Sequence, residues 1–258
     1  MTAIYSCQAV FLIDTFIENL PVNYEQFIEE YCKTISLSTL RILSYLSFEN
    51  RNNEVQNRPK ASSLKWGYKF FDSRSHSLKV EKYSFKELKL KHFEEFEREI
   101  QRRIKILVKN SLKSESLNHS KTTSKKTDNK ISPCDCFTRT LSELIDDYEW
   151  ETPDLFSPIK HRKLKKRNES KNLIKDSSGN FAFLFSICPK STTSLRQFAK
   201  KKVLDSSVFL DSLMPASLFS KFCEELKLKL FWIDTDKSVN VRSCLKSCIN
   251  ILYWSDIN

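Results

Sequence analysis

An α/β fold on a mostly parallel, doubly wound sheet is what this sequence predicts. Three apolar runs stop abruptly at an aspartate followed by a hydroxyl residue: Val10-Phe11-Leu12-Ile13-Asp14-Thr15, Tyr68-Lys69-Phe70-Phe71-Asp72-Ser73 and Leu230-Phe231-Trp232-Ile233-Asp234-Thr235. Short apolar runs bounded by turn residues read as buried strands. A fourth run, residues 180–188, is almost wholly apolar, as a strand covered on both faces must be. Between the runs lie stretches with apolar residues at helical spacing, and alternating strands and helices fold as a parallel sheet.

In chain order, the first strand (10–14) is followed by a helix over 27–46, carried by Phe27, Ile28, Tyr31, Ile35, Leu40, Leu43 and Leu46. A polar loop (50–63) leads to the second strand, 64–72. A charged amphipathic helix over 92–109 comes next. Phe93, Phe96, Ile100, Ile104 and Leu107 make its apolar stripe, and Glu94, Glu95, Glu97 and Glu99 precede Arg102, Arg103 and Lys105. That order suits the helix dipole and pairs spaced four apart. Residues 111–132, poor in apolar side chains and rich in Ser, Thr and Lys, are expected to be a flexible insertion. A short helix (138–148), a second flexible and basic insertion (151–178), the third strand (180–188), helices over 193–202 and 215–226, and the fourth strand (228–234) complete the chain. The 258 residues suit one large domain or two small ones, and 40 % apolar content with 19 Phe can fill a sizeable core.

Composition excludes several chemistries. The two glycines, Gly67 and Gly179, stand far apart, so no glycine cluster exists to cradle a dinucleotide or a nucleotide phosphate. A G-x-S-x-G nucleophile elbow is absent for the same reason. Mean hydropathy is -0.45 and no apolar run approaches the length of a membrane span. Residues 1–6 lack a secretory pattern, so the eight cysteines are expected to be thiols in a reducing compartment.

The formal net charge of +11 points to an acidic partner. Much of it falls in the two insertions. Residues 111–132 hold five Lys against Glu115 and Asp128, and residues 160–176 hold eight Lys or Arg against Glu169 and Asp176. The densest run, Lys160, Arg162, Lys163, Lys165, Lys166 and Arg167, reads as a nuclear-import signal or a nucleic-acid contact, or as a solvated linker. Just before it, Ser157-Pro158-Ile159-Lys160 has the form favoured by cyclin-dependent kinases, which makes Ser157 a candidate phosphorylation site.

The carboxyl ends of strands form the working edge of an open α/β sheet, so Asp14, Asp72 and Asp234 are the candidate metal or catalytic carboxylates. A Mg²⁺ site built from an aspartate and alternate hydroxyls would need hydroxyl residues where Phe16 and Glu18 stand. The simpler expectation is that these aspartates cap the following loops. Cys134-x-Cys136 and Cys244-x₃-Cys248 depart from zinc-knuckle spacing, and buried thiols are the expectation. His76, His92, His119 and His161 offer no ligand pair.

Several blocks, in order, resemble the N-terminal domain of the Treslin (Ticrr) family of metazoan replication-initiation factors. They are 11–15 (FLIDT), 40–47 (LRILSYLS), 65–73 (KWGYKFFDS), 85–103 with FKEL and HFEEFEREI, 141–160 (LSELIDDYEWETPDLFSPIK), 181–198 and 230–235 (LFWIDT). The strand ending FFDS and the DYEW stretch are the most specific. The resemblance implies a von Willebrand A-like (Rossmann-like) fold with no known catalytic activity; a single such domain over 1–258, without cofactor, membrane association or small-molecule substrate, is the expectation. It implies a nuclear scaffold promoting origin firing under cyclin-dependent kinase and checkpoint control. In that family MTBP and a BRCT-repeat scaffold bind regions beyond the part resembled here. The rival expectation is a metal-dependent hydrolase using Asp14, Asp72 and Asp234. A DNA-binding module is the third reading.

Overall fold

The structure, a computed structural model, describes residues 7–16, 23–54, 64–73, 84–118, 132–151, 179–189, 191–200, 211–235 and 250–253. Its centre is a six-stranded sheet in the order β3-β2-β1-β4-β5-β6. The strands are β1 (Gln8–Asp14), β2 (Lys65–Phe71), β3 (Lys86–Glu87), β4 (Asn180–Ser186), β5 (Leu228–Asp234) and β6 (Asn250–Tyr253). Five run parallel, and the two-residue β3 adds to β2 antiparallel. The predicted α/β class with a mostly parallel sheet is therefore the one observed.

Side chains alternate along each strand and divide the core in two. One face carries Phe11, Trp66, Phe181, Phe183, Phe185 and Phe231, covered by α1 (Tyr24–Glu54) and α2 (Leu90–Asn118). Register places Tyr68, Phe11, Phe183 and Phe231 in one row across four strands. Phe11 stacks on Phe183 at 5.2 Å between ring centroids, and Phe183 on Phe231 at 5.3 Å. Such offset aromatic pairs add to the burial of apolar area and fix register. The other face carries Val10, Leu12, Phe71, Leu184 and Trp232, covered by α3 (Pro133–Asp147), α4 (Thr192–Ala199) and α5 (Ala216–Ser220), which continues into a π-helical turn at Lys221–Glu225.

One close approach holds α3 to β2. A Cβ on Gly67 would lie 2.5 Å from Cε1 and 2.9 Å from Oη of Tyr148, just past the end of α3. Glycine is present because the tyrosine ring lies directly on the strand. Tyr148 Oη donates to the Tyr68 carbonyl at 2.9 Å. Beside it Lys69, 3 % exposed, reaches Glu143 at 2.9 Å and Asp147. The chain beyond α3 then crosses the starting ends of the strands. Glu151 N donates to Gln8 Oε1 at 2.7 Å, and Asn180 Nδ2 donates to the Glu151 carbonyl at 3.1 Å. Trp150 and Tyr148 both pack on Phe85.

Several boundaries differ from those expected. The α1 helix reaches Glu54, into the predicted polar loop, and α3 starts at Pro133 because Ser132 caps it and proline suits the first helical position. The α2 helix runs to Asn118, so the first residues of the expected 111–132 insertion are helical; residues 119–131 lie outside those described. Neither β3 nor β6 was among the expected strands: β3 carries no apolar run, and β6 holds the short run Ile251-Leu252-Tyr253.

The Gly67–Tyr148 contact gives a direct stability test. Gly67→Ala is expected to cost about 3 kcal/mol in urea unfolding, because the strand or the ring must shift. In a Tyr148→Ala background the same substitution should cost less than about 1 kcal/mol. Equal costs in both backgrounds would mean that the ring does not set the requirement for glycine.

Candidate functional site

The carboxyl edge of the sheet collects the strand-end residues singled out by the sequence. Asp14 ends β1, 4 % exposed. Its Oδ1 accepts from Phe16 N at 3.0 Å and from Ser73 N at 3.2 Å, and its Oδ2 accepts from Ser186 Oγ at 2.7 Å. One carboxylate thus ties together the ends of β1, β2 and β4. Thr15 adds a second tie, its N–H and Oγ1 both donating to the Phe71 carbonyl at 2.8 and 2.7 Å. Asp234, at the end of β5, accepts from Cys188 N at 3.1 Å, and Thr235 N donates to the Ser186 carbonyl at 3.2 Å.

Electrostatics follows from this burial. Loss of water pushes the Asp14 carboxyl up to about 6, against the pull of the donors from Phe16, Ser186 and Ser73. Tyr31, on α1, is raised by burial and by the Asp14 charge, and it shares a hydrogen bond with the Thr235 side chain. Burial also raises the Cys136 thiol, helped by the negative charges of Asp72, Asp135 and Asp14. A buried thiol that resists ionisation is a poor nucleophile.

Chemically, this edge is a set of strand stops. Among the described residues no three His, Cys, Asp or Glu side chains gather as a metal-ligand group, so Asp14, Asp72 and Asp234 do not converge on one ion. Cys134 and Cys136 are buried and in no disulfide, while Cys244 and Cys248 lie outside the described residues. His92 Nδ1 lies 3.0 Å from the Glu87 carbonyl; the other three histidines lie outside the described residues. No helix of the described residues is long and apolar enough to cross a membrane.

Ser157 and the run Lys160, Arg162, Lys163, Lys165, Lys166 and Arg167 also lie outside the described residues. The residues flanking them are placed, however. Glu151 and Asn180 are hydrogen-bonded to each other at the starting edge of the sheet. A seven-residue strand separates that edge from Asp14 by about 20 Å. The two regions that the sequence picked out are therefore rooted on opposite edges. Sequence reasoning missed the partners Ser73 and Ser186, which are far from Asp14 along the chain.

Because the folded state raises the Asp14 pKa above its ordinary value of 3.8, it holds a proton that the unfolded chain has lost between about pH 4 and 6. Stability contributed at this site is thus greatest below pH 4 and falls by about 3 kcal/mol as pH rises through 6. Asp14→Asn keeps an acceptor for both N–H groups and cannot titrate. Its urea-unfolding free energy should gain about 3 kcal/mol relative to the parent between pH 4 and 7; parallel pH profiles would contradict this assignment.

Comparison with known proteins agrees with the motif order. The sequence profile of the family described as "Treslin, N-terminal domain" matches residues 9–223. Treslin of Danio rerio is 30 % identical over 186 residues, covering 67 % of this chain and 10 % of that protein. Treslin of Xenopus laevis is 26 % identical over 212 residues, covering 76 % of this chain and again 10 % of the relative. The chain therefore spans about a tenth of the length of the curated relatives it matches. No solved structure matches. The matched span includes the Asp14 edge, the Gly67–Tyr148 contact and the basic segment, and the chain belongs to the Treslin family through its N-terminal domain.

Proposed function

We propose that this chain is a non-enzymatic interaction and scaffold domain of a replication-initiation factor. It acts in the nucleus to promote origin firing, as part of pre-initiation complex assembly and helicase activation under cyclin-dependent kinase and checkpoint control. Family membership supports this reading, since Treslin proteins are replication-initiation factors. The observation that carries the non-enzymatic part is the use of Asp14. Both of its oxygens accept hydrogen bonds that join three strands, which leaves the carboxylate a structural role. The metal-dependent hydrolase reading of Asp14, Asp72 and Asp234 has no support in that geometry.

The sheet order, the helices on both faces and the aspartate ending β1 support a von Willebrand A-like assignment. We read the basic run from Lys160 to Arg167 as a nuclear-import and weak chromatin contact, and Ser157 as a kinase site whose phosphate would sit beside it. MTBP and a BRCT-repeat scaffold would meet the longer protein through regions outside this chain.

Affinity purification of the protein from S-phase nuclei, followed by mass spectrometry, tests the proposal. Replication-initiation proteins are expected among the partners, with Ser157 phosphate in the same material. Recovery without such partners would overturn the proposal. So would tight Mg²⁺, Mn²⁺ or Ca²⁺ binding by calorimetry that disappears in Asp14→Ala.

A further inference from the structure

Sequence alone places the excess positive charge in two polar stretches. The α2 helix changes that picture, because Lys113, counted in the first stretch, lies on it. Lys91, Arg98, Arg102 and Lys105 are all exposed along α2, and Lys109 and Lys113 follow at helical spacing on the same element. At 3.6 residues per turn these six positions fall within an arc of about 80°. The rotation of the helix is fixed, since Phe93, Phe96, Ile100, Ile104 and Val108 are buried in the core on the opposite side. From Lys91 to Lys105 the basic arc therefore faces solvent.

By its residues the arc is positive. Glu99 is shared by Arg102, bound through two nitrogens at 2.7 and 2.8 Å, and by Arg103 at 2.6 Å. One carboxylate thus faces two guanidinium groups. Arg98 Nε is held along the helix by the Glu94 carbonyl at 3.2 Å. Glu95 stands at the edge of the arc near its start and is paired with Lys86, while Glu94 lies about 20° outside it. From Arg98 onward the arc carries no acid.

The shape and chemistry of the arc select a partner. Lys91 to Lys113 spans about 33 Å at 1.5 Å per residue, close to one turn of B-DNA at about 34 Å. Among the described residues α2 itself exposes no aromatic platform of the kind single strands stack on, because its Phe93 and Phe96 are both buried. The clustered apolar anchors of a protein hot spot are not found among the described side chains of α2: its exposed large apolar residues, Leu90 and Ile106, stand about 24 Å apart along the axis. We infer that the solvent face of α2 is a contact for the phosphate backbone of double-stranded DNA, independent of base sequence. It is a second contact, built into the fold, besides the basic run from Lys160 to Arg167.

Fluorescence anisotropy of the full 258-residue chain with a labelled random-sequence duplex, across a salt series, tests this inference. The triple variant Arg98→Gln, Arg102→Gln, Lys105→Gln should bind about tenfold more weakly at low salt. Its slope of log affinity against log salt should be shallower by about 2 to 3. The drop should persist when Lys163, Lys165 and Lys166 are already Gln, which separates the helix from the basic run. Glu94→Gln, just beside the arc, should tighten binding about twofold by removing a repelling charge. The inference is overturned by an unchanged affinity and slope in the triple variant, by no duplex binding of the parent at low salt, or by weaker binding in Glu94→Gln. It is equally overturned if polyglutamate displaces the duplex at matched charge concentration, since the arc would then be a site for acidic polypeptides.

Discussion

The seating of Tyr148 on Gly67 is the contact on which the rest of this structure depends. A tyrosine ring can lie on the middle of a strand only where that strand offers no side chain, and Gly67 supplies the gap. With the ring in place, the phenol reaches the Tyr68 carbonyl, and the last turn of α3 brings Glu143 and Asp147 over Lys69. A lysine buried there without its acids would cost several kcal/mol, so the ion group and the ring require each other. The chain then passes Trp150 and Glu151 across the starting ends of β1 and β4, where Gln8 and Asn180 hold it. One glycine thus permits a clasp that joins helix, sheet face and sheet edge.

That clasp also fixes the two ends from which the chain between Glu151 and Asn180 leaves the sheet. It roots the segment carrying Ser157 and the basic run at one edge of the sheet, while the aspartates end the strands at the other. The carboxylate edge is internally satisfied, with Asp14 engaged by Phe16, Ser73 and Ser186. A sheet whose usual working edge is closed has its remaining surfaces, helix faces and insertions, for contact with partners. The solvent face of α2 is such a surface, held in orientation by five buried apolar residues on its other side.

The strands β1, β2, β4 and β5 were legible because each is a short apolar run stopped by a polar signal. The capping role expected for Asp14 was legible as well, since its bond to Phe16 N is local in sequence. Its bonds to Ser73 and Ser186 were not, because partners 59 and 172 residues away leave no mark in spacing. β3 is two charged residues, Lys86 and Glu87, whose strand character comes from pairing with β2 and not from their own pattern. The start of α3 was readable from Ser132, Pro133 and Asp135, a cap signal that the apolar periodicity beginning later concealed. The two glycines served only to exclude phosphate loops, although the steric demand at Gly67 is the more informative fact. The strand ending FFDS and the DYEW stretch, the most specific of the resembling blocks, meet where Tyr148 lies on Gly67.

Hydrogen exchange under native conditions, read by mass spectrometry on the parent and on Tyr148→Ala, tests the central claim most directly. If the ring is the clasp, peptides from α3, from β2 and from the starting ends of β1 and β4 will lose protection together. Loss confined to the last turn of α3, with β2 and the strand starts unchanged, would contradict it.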